Sequence, residues 1–282
     1  MAQIIDGKKI STQIKDEVKE QVAALKQKGI DVTLAVIQIG KDPASTVYVG
    51  NKKKACEYVG IRSLAYELPE ETSEQELLEL VQSLNAKEDV DGILVQLPLP
   101  KHIDEDKVIR TISPDKDVDG FHPESVGRLS IGQPGFVSCT PAGIIQLLKR
   151  SGITIDGKEC VIIGRSNIVG KPMGMLLLRE NGTVTICHSH TPDLKTVAKR
   201  ADILVVAIGK AKFVDASYVK DWAAVIDVGM DRDENGKLCG DVDFASVEPV
   251  AGAITPVPGG VGPMTIAMLM NNCVESAQRK HC

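Results

Sequence analysis

Tyr48 and Lys52 stand four residues apart in Ala44 to Val59, a segment whose pattern predicts a helix stopped by Gly60. That spacing puts the phenol and the amine on one face, a turn apart. Asp91 to Leu97 is predicted as a buried strand, which places Gln96 at its carboxyl end, where open α/β sheets receive ligands. Asp119 falls in the turn-rich stretch Ser113 to Phe121. A lysine, a tyrosine, a neutral amide and a carboxylate are thereby expected to converge on one cleft. Taken singly, each has a plainer reading. Lys52 heads a Lys-Lys-Lys run of the kind that usually covers a solvated face, and Tyr48 is equally suited to packing.

A second set lies in Lys158 to Pro172. The apolar run Cys160 to Ile163 breaks at Gly164, and Gly170 opens a helical pattern with Pro172 in its first turn. At such a strand–turn–helix junction, glycine permits the tight turn, and the N–H groups and dipole of the new helix attract a phosphate. The spacing is G-x-S-x-x-x-G rather than G-x-G-x-x-G, so an ordinary βα turn remains an alternative for the motif by itself. The next strand, Thr183 to Cys187, ends in His188-Ser189-His190, with no acid to hold the two ribose hydroxyls of NAD. Arg165, in the glycine turn, suits the 2′-phosphate of NADP. NADP is therefore the expected cofactor.

The elements that position these residues follow a repeating order. Apolar residues from Ile10 to Leu25 recur at helical spacing up to Gly29. Val32 to Ile39 reads as a strand buried on both faces, as in a parallel sheet. The alternation continues through the Tyr48 helix, a strand Ile61 to Leu68, a helix opened by the capping box Ser73-x-x-Glu76, the Gln96 strand and a short helix from Asp104. A helix from Thr140-Pro141 leads to the glycine turn. Beyond it come a helix Pro192 to Arg200, strand Ile203 to Ala207, a short helix Ala216 to Asp221, strand Ala223 to Val228, a turn at Asn235-Gly236 and a last strand Val250 to Ile254. Thr255 to Pro263 is too rich in Gly and Pro for regular structure, and a final helix follows. The expected fold is α/β with two lobes, the second a Rossmann-type parallel sheet. The expected division is 1–120, completed by the C-terminal helix 263–282, and 121–262, including a linking helix 141–151.

Composition narrows the function classes. The 282 residues, 43% of them hydrophobic, suffice for two cored lobes. A net charge of −5 without a basic stripe argues against nucleic acid as a partner. No run of ~18 apolar residues suggests a membrane span, and the amino-terminal residues resemble neither a signal nor a transit peptide. Seven scattered cysteines without a C-x-x-C pair suit reduced thiols, so a cytoplasmic location is expected. Cys187-His188-Ser189-His190 has no second cluster with ligand spacing, and no metal site is expected.

Five motifs, in order, carry a resemblance that runs from Ile5 to about Asn272: Tyr48-Val-Gly-Asn-Lys52, Asp91-Gly-Ile-Leu-Val-Gln-Leu-Pro-Leu-Pro100, Pro114-Asp-Lys-Asp-Val-Asp-Gly120, Gly164-Arg-Ser-Asn-Ile-Val-Gly-Lys-Pro-Met173 and Thr255-Pro-Val-Pro-Gly-Gly-Val-Gly-Pro-Met-Thr265. With them the chain closely resembles the bifunctional methylenetetrahydrofolate dehydrogenase/cyclohydrolase family. The resemblance implies a homodimer whose subunits each hold the active-site cleft between two α/β lobes. It implies NADP-dependent oxidation of 5,10-methylenetetrahydrofolate to the 5,10-methenyl cation, then hydrolysis to 10-formyltetrahydrofolate. By the same resemblance Lys52 is the general acid/base, Gln96 its hydrogen-bond partner, Tyr48 an aid to Lys52 and to folate binding, and Asp119 the pterin anchor. Val95, Leu97 and the loop Pro258, Gly259, Gly260, Val261 and Gly262 would line the folate. Gly164, Arg165, Ser166 and Ser189 would hold the adenosine end of NADP, with Met230 near the nicotinamide.

The residue types suit that chemistry. Hydride loss leaves a cation shared by two nitrogens, so positioning dominates the first step. Hydrolysis needs a base working near neutrality. A free lysine, at about 10.4, is too basic, and burial beside a cation moves an amine the right way. Three positions depart from the family pattern: Gly209-Lys-Ala-Lys-Phe213 stands for the commoner G-K/R-P-G-F, His190 for Lys or Arg, and Met230 for Ile. The first two bear on phosphate affinity. Two rival readings are a Rossmann dehydrogenase of a small hydroxy acid, which gives Pro258 to Pro263 no role, and a non-enzymatic folate or NADP sensor, which leaves Lys52 and Gln96 unexplained.

Overall fold

A computed structural model describes residues 1–281, apart from the side chains at positions 43 and 44. The chain runs β1 (Gln3–Ile4), α1 (Gly7–Gln27), β2 (Thr33–Ile39), α2 (Pro43–Val59), β3 (Arg62–Leu68), α3 (Glu74–Ala86), β4 (Gly92–Val95), α4 (Glu105–Thr111), α5 (Pro123–Ser130) and α6 (Cys139–Arg150). It continues with β5 (Glu159–Ile163), α7 (Gly170–Arg179), β6 (Thr183–Cys187), α8 (Leu194–Ala198), β7 (Ile203–Val206), β8 (Ala224–Asp227), β9 (Asp231–Arg232), β10 (Leu238–Cys239), α9 (Phe244–Val247), β11 (Ala253–Ile254) and α10 (Val261–His281). Packing divides it into two compact units. One holds Thr12–Val137 and the chain from Ile266 onward; the other holds Met1–Ser11 and Ser138–Thr265.

The first unit is built on a parallel sheet ordered β3-β2-β4. All seven residues of β2, the polar Thr33 and Gln38 included, are buried, as its largely apolar run requires of a central strand. Leu77, Leu78, Val81 and Leu84 of α3 pack with Ile37, Ile93 and Val95 of the sheet. The capping box forms as read, Ser73 Oγ accepting from Glu76 N–H and the Glu76 carboxylate from Ser73 N–H. Gly60 ends α2 in the left-handed conformation, φ 88°.

The second unit is built on a six-stranded sheet ordered β1-β11-β8-β7-β5-β6, in which every pairing is parallel. From β5 the chain steps to β6 on one side, then returns to β7 on the other, which creates a switch point at the carboxyl end of β5. Val161, Ile163, Leu204, Val206 and Val225 form the centre of its core.

Several details differ from the expectations. The segment 121–137 packs with the first unit rather than the Rossmann-type one: Asn272 Nδ2 donates to the carbonyls of both Val118 and Val137, and the Arg279 guanidinium lies over the Phe136 ring. Residues 1–11 belong instead to the second unit, because β1 adds itself to the edge of β11. Two residues of strand are too short for any periodic pattern. Helix α10 begins at Val261, inside the stretch expected to be irregular, and Pro263 is tolerated there because the first helical turn needs no N–H.

Candidate active site

In the first unit, α2 carries Tyr48 and Lys52, and Gln96 directly follows β4. Lys52 is only 6% exposed, against the usual fate of a lysine in a run of three. Its Nζ donates to Gln96 Oε1 at 2.9 Å. Gln96 is itself held on two sides: its N–H extends the β2 ladder to Ile37 O at 2.8 Å, and its Nε2 donates to Leu97 O at 2.6 Å. With the amide nitrogen so engaged, only the oxygen is left to face the amine. Tyr48 is half-buried, and burial pushes its hydroxyl above the ordinary value.

The segment before Asp119 is anchored residue by residue. Lys116 Nζ donates to the carbonyls of Leu84, Asn85 and Lys87 at 3.0, 2.8 and 2.6 Å, satisfying the end of α3. The buried Asp117 carboxylate accepts from Phe121 N–H, His122 N–H and Ser125 Oγ at 3.2, 2.8 and 2.7 Å. Burial nevertheless pushes Asp117 up to about 6, outweighing the hydrogen bonds that favour its charge. Val118 lies against Gly92, where an added Cβ would come within 2.7 Å of Val118 Cγ1. Asp119 is left half-buried at a small cavity it shares with Val95, Leu97 and Phe121. Lys116, Asp117 and Asn272 were not singled out in the sequence. The only sign of them there is the density of charge in Pro114 to Gly120, which does not say which acid points inward.

In the second unit, Gly164 follows β5 with φ 130°, and an added Cβ would run into the Ala207 carbonyl oxygen. Gly170 packs as tightly on Gly164 itself. Both glycines are thus required by backbone contact. Ser166 Oγ accepts from the N–H groups of Val169 and Gly170 at 3.1 and 3.3 Å. This modifies the expectation for the helix terminus: a side chain already satisfies two of the donors thought to await a phosphate. Arg165 stays exposed at the turn. Gly164 N–H donates to Cys187 O at 3.0 Å, which sets the exposed Ser189 and His190 on the neighbouring strand end. Met230 is 48% exposed just after β8.

The loop Pro258 to Gly262 also belongs to the second unit. Gly259 has φ 108°, its carbonyl accepts from Lys8 N–H at 3.1 Å, and an added Cβ would run into the Gly260 carbonyl oxygen at Gly7 and into the Pro256 carbonyl oxygen at Gly260. The structure therefore gathers Lys52, Tyr48, Val95, Gln96, Leu97 and Asp119 in one unit. Gly164, Arg165, Ser166, Ser189, Met230 and Pro258 to Gly262 lie in the other. Among the described residues, six cysteines are buried and none joins a disulfide, and no helix is long and apolar enough to cross a membrane.

A parallel sheet with a glycine turn at its switch point, paired in one chain with an α/β unit bearing a buried lysine, defines a dinucleotide-dependent α/β enzyme. Residues 138–281 match the family model described as tetrahydrofolate dehydrogenase/cyclohydrolase, NAD(P)-binding domain, and residues 5–119 match the catalytic domain of the same family. The chain is 74% identical over 279 residues to the bifunctional protein FolD of Lachnoclostridium phytofermentans, covering 99% of each. It superposes with a TM-score of 0.97 on the FolD methylenetetrahydrofolate dehydrogenase/cyclohydrolase of Campylobacter jejuni, at 50% identity and 99% coverage of both chains. The Trypanosoma brucei enzyme, solved with NADP and an inhibitor, gives 0.94 at 40% identity, with 99% of this chain and 98% of that one covered. The chain belongs to the tetrahydrofolate dehydrogenase/cyclohydrolase family.

Proposed function

We infer that the buried Lys52–Gln96 pair is the proton-transfer centre of a bifunctional enzyme. The enzyme oxidises 5,10-methylenetetrahydrofolate with NADP and hydrolyses the resulting 5,10-methenyl cation to 10-formyltetrahydrofolate. The observation that carries this reading is the 2.9 Å contact between an almost fully buried amine and an amide whose other end is already engaged. Asp119, at its cavity beside Val95 and Leu97, is suited to the hydrogen-bond donors of a pterin, and Tyr48 to holding the folate one turn from the amine. The loop Pro258 to Gly262 offers closely packed backbone to the substrate.

The residues of the glycine turn fit NADP: an exposed Arg165 beside a strand end without an acid accommodates a 2′-phosphate, with Ser166 and Ser189 to hydrogen-bond it. When bound, NADP supplies the nicotinamide that accepts hydride from the methylene carbon. The chain's part in that step is to hold the folate in position. In the second step water adds to the methenyl carbon, and the Lys52 amine takes the proton that the water loses. That proton then goes to N5 as its bond to the carbon breaks, and the adduct's hydroxyl gives its remaining proton to the freed amine, which passes it to solvent, leaving the formyl group on N10. Gln96 orients the amine without adding charge. A glutamate there would pair with the ammonium and hold the proton back.

A homodimer and a cytoplasmic location belong to this reading. The seven-residue strand β3, with one edge unpaired within the sheet, supports association, since such edges are commonly covered. Scattered thiols support a reducing compartment.

Mixing the protein with methylenetetrahydrofolate and either NADP or NAD, and following reduced-nicotinamide absorbance, tests the first activity; the rate is expected to be higher with NADP. Lys52→Met is expected to lower methenyl hydrolysis by ~10²-fold or more, the scale of a lost general acid/base. Near-normal hydrolysis in that variant would overturn the assignment.

A further inference from the structure

Three buried or half-buried carboxylates, Asp227, Asp231 and Asp241, meet beyond the carboxyl end of β8, and the mechanism above uses none of them. Asp241 is fully buried, yet both its oxygens reach a different loop: Oδ2 accepts from Ile208 N–H at 2.8 Å and Oδ1 from Lys210 N–H at 2.6 Å. Asp227 secures Asp241 in turn. Its Oδ1 accepts from Gly229 N–H and Asp241 N–H, both at 2.9 Å, and its Oδ2 from Val242 N–H at 3.0 Å. Gly229 and Gly240 lie so close to these carboxylates that a Cβ at either would collide with them. Burial and the neighbouring Asp241 push Asp231 up, and burial pushes Asp227 up to about 7. Lys212, whose N–H donates to Gly240 O, carries its ammonium towards Asp233 at 3.7 Å rather than into the cluster.

The loop that Asp241 holds is the one leaving β7. At the switch point, the loops leaving β5 and β7 form the two walls of the crevice where a dinucleotide lies. Here they touch: Gly164 abuts the Ala207 carbonyl, and Ala207 N–H donates to Ile163 O at 2.8 Å. The β7 wall, Ala207 to Lys212, is short, exposed from Gly209 onward and contains Gly209 at φ 63°. Such a segment needs an external anchor to keep one shape. Two charge-assisted hydrogen bonds donated to a carboxylate that is itself fixed by a second carboxylate supply it.

We propose that Asp241, braced by Asp227, is a positioning residue for NADP: it fixes the β7 wall of the dinucleotide crevice and so sets cofactor affinity without touching the proton-transfer centre. The proposal rests on the NADP reading above. Hydrolysis of methenyltetrahydrofolate needs no nicotinamide, so it serves as an internal control.

The test measures NADPH binding by titrating its fluorescence, KM for NADP, and methenyl hydrolysis without nucleotide, all on the full chain. In Asp241→Asn one acceptor becomes a donor facing an N–H. Kd and KM for the nucleotide are expected to rise ~10-fold, the scale of one lost bond to a charged group, with hydrolysis within about twofold of the parent. A second variant guards against misfolding: Lys210→Pro, compared with Lys210→Ala so that the side chain cancels, removes one donated N–H at an exposed site while also fixing φ there. It is expected to show the same separation. The proposal is overturned if nucleotide Kd is unchanged in Asp241→Asn, if Lys210→Pro and Lys210→Ala bind equally, or if binding and hydrolysis fall together. A parent protein that binds no NADPH would instead remove the reading on which the proposal rests.

Discussion

At the scale of single residues, the environment of each polar group separates function from support. Lys52 and Asp117 are both buried in the first unit, but Lys52 has one neutral side-chain partner while Asp117 accepts three hydrogen bonds. The first arrangement suits the proton transfer proposed for Lys52, and the second locks a loop. Asp117 also carries a pH signature. Its carboxyl is raised from an ordinary 3.8 to about 6, so the folded protein binds more protons than the unfolded chain across that interval. Its contribution is fully present below about pH 4 and lost as pH rises through about 6. A shift of this size corresponds to roughly 3 kcal/mol. We expect the stability of the parent relative to Asp117→Asn, from urea unfolding, to decline between pH 4 and 7. A difference that is flat with pH, or rises, would contradict this assignment.

At the scale of elements, backbone contact dictates where glycine must stand. Gly164 has a left-handed φ and no room for a Cβ against Ala207, so Gly164→Ala must push the β5 and β7 loops apart. Overpacking of this kind costs about 1–3 kcal/mol before the backbone strain is added. The proposed dinucleotide crevice lies at those loops, and Lys52 lies in the other unit. NADP-dependent oxidation is therefore expected to fall by at least ~10-fold in Gly164→Ala, while methenyl hydrolysis is largely retained. Steady-state assays of both reactions on one preparation decide it. Equal loss of both would show that the turn supports the fold as a whole rather than the cofactor.

At the scale of the whole molecule, the chain's first residues complete the second unit's sheet although they precede the whole of the first. Gln3 and Ile4 pair with Ala253 and Ile254, and Ile5, fully buried, donates its N–H to Ile254 O at 2.9 Å. Removing residues 1–5 deletes a strand and a buried isoleucine, the latter worth about 1.5–3 kcal/mol. The melting temperature should fall by roughly 5 °C or more, read by circular dichroism. An unchanged melting curve would mean that β11 needs no outer neighbour.

The sequence alone determined the alternation of strand and helix, the parallel sheets, the glycine turn and the identity of the catalytic candidates. Periodicity, capping residues and glycine are local signals, and the five motifs are contiguous. Only the tertiary structure decided that Lys52 is buried rather than solvated, that the oxygen of Gln96 faces it, that Ser166 takes two donors of the glycine turn, and that Asp241 holds a loop some thirty residues away. Each of these depends on groups distant in sequence meeting at hydrogen-bond distance. Burial and partner choice are properties of the packed chain, and no pattern of spacing along it encodes them directly.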